Sequence, residues 1–182
     1  MIPIKDFDKI ETRRSIDFPP VGGYVAIIKN VRDVQEKKYL ECLIDIAEGE
    51  FKDFYQKEYE FSTKWRLRGF ISYNQDYEWA LKNFKGFTTS VEHSNPGYTW
   101  DWDEKKLKGK KVGIITREEE YLRDDGNVGI SYKIFTFRSI DEIRKGNFKV
   151  PPRKTLTQDK PQATTPARTS SFDLSALDDL QF

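Results

Sequence analysis

The sequence predicts a mainly β fold with minor α content, on three observations. Five segments are rich in β-branched and aromatic residues, and two of them alternate apolar and polar residues at period two. One twenty-residue segment, between the third and fourth of these, changes to the helical period. Gly, Pro and Asp-Gly signals punctuate the boundaries.

The elements follow in order. Residues 1–19 form a lead-in, closed by Pro19-Pro20 and Gly22-Gly23. YVAIIKNVRDV (Tyr24–Val34) is the first strand, and the charged stretch Arg32 to Lys38 turns it into a hairpin. KKYLECLIDIAEG (Lys37–Gly49) is the second, with Leu40, Cys42, Ile44 and Ile46 on one face and Tyr39, Glu41, Leu43 and Asp45 on the other. STKWRLRGFISYN (Ser62–Asn74) is the third; Trp65, Leu67, Gly69 and Ile71 oppose Lys64, Arg66, Arg68 and Phe70. Gln75–Ser94 is the helix, with Tyr77, Ala80, Leu81, Phe84, Phe87 and Val91 at helical spacing and Asn95-Pro96-Gly97 as its stop. Lys110–Leu122 and Asn127–Ile140 are the last strands, joined by RDDGN, whose glycine supplies the positive φ of a tight turn. Ser139 and Glu142 make a capping box for a short helix that Gly146 ends. Five strands with a helix between the third and fourth match the order of an OB-fold, a partly open five-stranded Greek-key barrel. This domain is expected over residues 20–150. In the Tyr98, Trp100, Trp102 loop, rings alternate with Thr99, Asp101 and Asp103, and they are expected to pack on the barrel rather than stack bases.

Composition narrows the function. The 182 residues carry 31 basic and 30 acidic side chains, for a net charge of +1, so the chain is not a polybasic coat. A lone cysteine, Cys42, excludes an internal disulfide, and a lone histidine, His93, excludes most histidine-based sites. MIPIKDFDKI lacks the basic and apolar pattern of a secretory leader, and no stretch reaches membrane-spanning length, so a soluble protein of the cytoplasm, that of a bacterial host cell, is expected. No phosphate-binding glycine loop, Cys/His metal set or nucleophile elbow is present, so no enzyme, no cofactor and no metal are expected. Asp101, Asp103 and Glu104 cluster as any acidic loop does. Glu118, Glu119 and Glu120 follow one another along a strand, so at most alternate members share a face.

Single-stranded nucleic acid requires cations for its phosphates and flat rings for its bases. The third strand offers both on its outward side, as Lys64, Arg66, Arg68 and Phe70, with no acid among them. A charged edge that discourages aggregation would also read this way. The first hairpin adds Lys29, Arg32, Lys37, Lys38 and Tyr39, diluted by Asp33 and Glu36. The last strand adds Lys133, Phe135 and Arg138, where Phe135 serves equally as a core residue.

The C-terminal stretch divides in two. Residues 151–171, rich in Pro, Thr, Ser, Lys and Arg, are expected to be a disordered basic linker. Residues 172–182, FDLSALDDLQF, are acidic and end on an aromatic ring. The tip LDDLQF resembles the acidic C-terminal tip of bacterial single-stranded DNA-binding proteins, with Asp178, Asp179, Leu180 and Phe182 matching and Gln181 where that family has proline. The segments IAEGEFKDFY, SNPGYTWDWDEKKLKGK and RSIDEIRKGNFKVP make most of residues 20–152 similar to small phage-encoded single-strand-binding proteins of Gram-positive hosts. The resemblance implies an OB domain that coats and protects single-stranded DNA with little sequence preference. It also implies a tip that recruits replication, recombination and repair proteins through Asp178, Asp179, Leu180 and Phe182. Partners are then single-stranded DNA and those proteins, with no membrane; a homo-oligomer is compatible with the sequence. The near-neutral charge of residues 1–150 supports another reading, a recombination or helicase-loading accessory factor that acts through protein contacts and binds no DNA itself.

Overall fold

The computed structural model describes residues 2–3, 5–9 and 17–156. Its strands are β1 (Gly23–Val34), β2 (Tyr39–Ile46), β3 (Arg68–Ser72), β4 (Lys111–Leu122) and β5 (Val128–Arg138). The helices are α1 (Phe54–Ser62), α2 (Glu78–Ser94) and α3 (Ile140–Arg144). All strands join one antiparallel sheet in the order β3-β2-β1-β4-β5.

The two segments read as alternating bury the faces expected of them, although Glu41 and Asp45, expected on the outer face of β2, are buried too. Ala26, Ile28, Leu40, Cys42, Ile44, Ile46, Trp65, Leu67, Ile71, Val112 and Ile114 are buried in one cluster. Against them α2 sets Phe84, Phe87 and Val91, four or three residues apart on one face. The Trp65 indole Nε1–H donates to Ile44 O at 3.0 Å, so this large ring is buried without an orphaned donor. The capping box closes on Ser139 and Glu142 as expected, and Gly126 and Gly146 adopt the positive φ that their turns require.

Four features depart from the sequence reading. The helix α1 lies between β2 and β3, where no element was expected. Its N-cap residue, Asp53, takes φ 58° and makes no side-chain cap; the cap comes from β2, where the Asp45 carboxylate accepts from Tyr55 N–H (3.0 Å) and Gln56 N–H (3.1 Å). The third strand is shorter than expected, since Lys64–Leu67 precede the ladder, although their burial still alternates. The sheet is open: among the described residues no ladder joins its edges β3 and β5. At one point those edges come close, where a Cβ on Gly69 would stand 2.8 Å from Phe137 Cζ. Finally, the start of the expected linker is held on β4, because Lys154 N–H donates to Glu118 O and Glu120 N–H to Lys154 O, both at 2.9 Å. Arg153 adds an ion pair to Glu118 at 2.5 Å.

The aromatic loop before β4 divides. Tyr98 and Trp100 pack on the core, as expected, whereas Trp102 is 79% exposed and stacks at 17° on Phe84. Among the described residues no helix is long and apolar enough to cross a membrane.

Candidate nucleic-acid interface

Antiparallel pairing sets three cross-strand rows on the outer face of β1, β2 and β3. They are Asn30–Leu43–Arg68, Arg32–Glu41–Phe70 and Val34–Tyr39–Ser72. Tyr39 and Phe70 are diagonal neighbours across β2 and β3, within reach of ring contact. Their centroids lie 5.6 Å apart at 74°, an edge-to-face pair. Phe70 keeps 37% of its surface exposed.

Two guanidinium groups flank this pair and share one carboxylate. Glu41 is buried; its Oε2 accepts from Arg32 Nη2 at 2.5 Å and its Oε1 from Arg68 Nη1 at 2.9 Å. Arg68 also donates from Nε to Trp65 O at 3.0 Å, which fixes the guanidinium plane. Both arginines remain well exposed on their other edges. The trio therefore leaves one net positive charge, with donors turned outward beside two rings. Lys37 and Lys38 sit at the hairpin turn above, where Lys38 takes φ 54° and donates to Asn74 and Asp76.

Across the open edge, Phe70, Phe135 and Arg138 line one cleft of ≈ 350 Å³ between β3 and β5. Its floor is the polar stripe of α2, which brings Trp79, Lys85 and His93 to the same cleft. Sequence reasoning missed Trp79 and Lys85. The signal for Trp79 was the α2 spacing, since it falls on the flank of the buried stripe of Phe84, Phe87 and Val91 and not within it. The Arg117 guanidinium lies 5.0 Å over the Phe135 ring, so that ring is partly covered on one side.

Other expected contacts lie elsewhere. Lys29 turns toward the α1 start, 3.6 Å from Asp53 and 4.0 Å from Asp45. Arg66 donates from Nε to the buried Glu58 at 2.7 Å and covers the Phe18 ring, so it braces α1 and the lead-in. With Lys133 it lines a second hollow that Glu119 and Glu120 also enter. Lys64 is exposed on the loop after α1, off the β1–β3 rows. The tip residues Asp178, Asp179, Leu180 and Phe182 lie outside the described residues.

The acidic loop is internally tied, with Asp101 and Asp103 both paired to Lys106. Among the described residues no group of three or more His, Cys, Asp or Glu side chains could hold a metal ion. Neither a protein-family model nor a curated protein matches the chain.

Proposed function

We propose that the chain is a non-catalytic single-stranded DNA-binding protein whose sheet is a partly open OB-type barrel. The observation that carries this reading is the Tyr39–Phe70 pair, with Tyr39 half-buried and Phe70 exposed, set between Arg32 and Arg68 on one sheet face. Rings stack bases of any identity, and the guanidinium edges meet phosphate, so the strand is held with little sequence preference. The strand order supports the barrel assignment, because joining β3 to β5 would close the ring of five. The tip ending in Asp178, Asp179, Leu180 and Phe182 is assigned to recruitment of replication and recombination proteins on its sequence alone.

The second reading, an accessory factor that binds no DNA, draws on a specific observation. Arg32, Lys38, Arg66 and Arg68 all have carboxylate partners within the fold. Fluorescent oligo-dT and the matching duplex, titrated with the full chain across a salt series, separate the two. Single-strand binding is expected to weaken with salt at a slope of roughly −0.7 per phosphate contacted. Tyr39→Ala and Phe70→Ala should each weaken it by about 1–3 kcal/mol. Glu41→Gln, which removes the only acid of the trio, should tighten it, and Phe182→Ala should leave it unchanged or raise it. No binding by the wild-type chain assigns the face to protein contacts.

A further inference from the structure

The projecting β4–β5 hairpin carries an apolar stripe that no described residue covers. Leu122 and Val128 pair across it, and Ile130 and Tyr132 follow Val128 on the same face. Val128 is 55% exposed and Ile130 43%. Tyr132 closes the stripe at the body, stacked on Phe18.

The same stretch is the outermost edge of the sheet. Hydrogen-bond parity settles which of its backbone groups are unpaired. Glu118 and Glu120 turn their N–H and C=O to Lys154, so the alternate residues Glu119 and Tyr121 bond β5, through Ser131 and Gly129. Val128, Ile130 and Tyr132 therefore direct their N–H and C=O away from the sheet, and among the described residues no backbone group bonds them there. An edge of this kind is normally blunted by charge, proline or a bulge. The run VGISY (128–132) holds none of these.

We infer that this edge pairs with the same edge of a second copy of the chain, forming an isologous antiparallel dimer. Only outward-directed residues can stand opposite one another as hydrogen-bonded pairs, which restricts the register. The register that uses all three places Ile130 opposite Ile130 and Val128 opposite Tyr132. Every such pair is apolar, and all lie on one face, so the two stripes merge into one. Charge agrees: Lys133 of each copy comes opposite Asn127 of the other, beside the acidic turn Asp124–Asp125. A two-fold axis through Ile130 closes the assembly at two copies. The inference does not depend on whether the β1–β3 face binds a strand.

Sedimentation equilibrium of the full chain across a broad concentration series tests it. The expected result is twice the chain mass, reduced to the chain mass by Ile130→Lys with an unchanged far-UV circular dichroism spectrum. The register has its own readout. Cα atoms of a hydrogen-bonded pair lie about 5.5 Å apart, within disulfide range, so Ile130→Cys should cross-link to a dimer on oxidation. Val128→Cys, facing Tyr132, should not. Cys42 is buried and does not confound the assay. A monomer at every concentration, a dimer untouched by Ile130→Lys, or cross-linking by Val128→Cys but not Ile130→Cys would overturn the proposal.

Discussion

At the scale of single residues, the fold rests on a few polar and glycine positions whose roles are set by close neighbours. Asp45 is fully buried, which pushes its carboxyl above the ordinary range. Three backbone N–H donors, from Ile46, Tyr55 and Gln56, and nearby Lys29 act the other way. One side chain thereby joins β2 to the start of α1. Gly113 is required for a different reason. A Cβ there would meet Arg138 O and Ser139 O at 2.8 Å and Ile143 Cγ1 at 2.5 Å, and backbone cannot yield as a side chain can. Gly113→Ala should therefore destabilise by about 1–3 kcal/mol or more. Gly86, inside α2, has open space where its Cβ would stand. Gly86→Ala should stabilise by about 0.5–1 kcal/mol, since it removes only backbone freedom from the unfolded chain. Urea unfolding midpoints of the two variants, moving in opposite directions, check both.

At the scale of elements, the short helices are held from outside themselves. The five-residue α3 carries its own capping box, yet its far end is fixed by Arg144, which donates to Glu48 at 2.9 Å. Lys111, at the start of β4, donates to the same carboxylate at 3.2 Å. The Arg144 bond comes first among the causes that hold the Glu48 carboxyl below its usual range. A carboxylate with a lowered folded value contributes its full stability above the unfolded value, about 4.3, and loses it as the pH falls through the folded one. Glu48→Gln should lower the melting temperature modestly near neutrality, because the pair is partly exposed and screened, and the two profiles should converge in acid, where the wild type has lost the contribution. Thermal melts from neutral pH into the acid range measure it. The capping box was legible in sequence because all its groups lie within four residues. The clamp was not, because 96 residues separate Glu48 from Arg144.

At the scale of the whole molecule, an open sheet leaves β3 and β5 as its edges, and the Phe137 ring of β5 sits against Gly69 of β3. Gly69→Ala should push that ring outward, costing about 1–3 kcal/mol and raising hydrogen exchange at the β3 and β5 amides. Restored exchange protection in Gly69→Ala with Phe137→Leu, a smaller side chain, would confirm the contact. The candidate interface was partly legible. Arg68, Phe70, Arg32 and Tyr39 could be proposed because alternation says which residues face out. That Arg66 braces Glu58 and Phe18, and that Lys29 serves Asp45 and Asp53, could not, because alternation is silent about which neighbour arrives from elsewhere in the chain. By itself the sequence determined the five strands, the main helix, the inward faces of Lys37–Gly49 and Ser62–Asn74, the tight turn at Gly126 and the cap at Ser139, although Tyr77 and Leu81, expected on the helical stripe, are exposed. These depend on periods of two and 3.6 and on contacts within a few residues. Only the tertiary structure decided that α1 exists, that one carboxylate joins Arg32 to Arg68, and that residues 153–156 lie along β4. It also decided that Phe70, Trp79 and Phe135 meet at one cleft. Each of these is a meeting of groups distant along the chain, where the strand order, not the local pattern, sets who is adjacent.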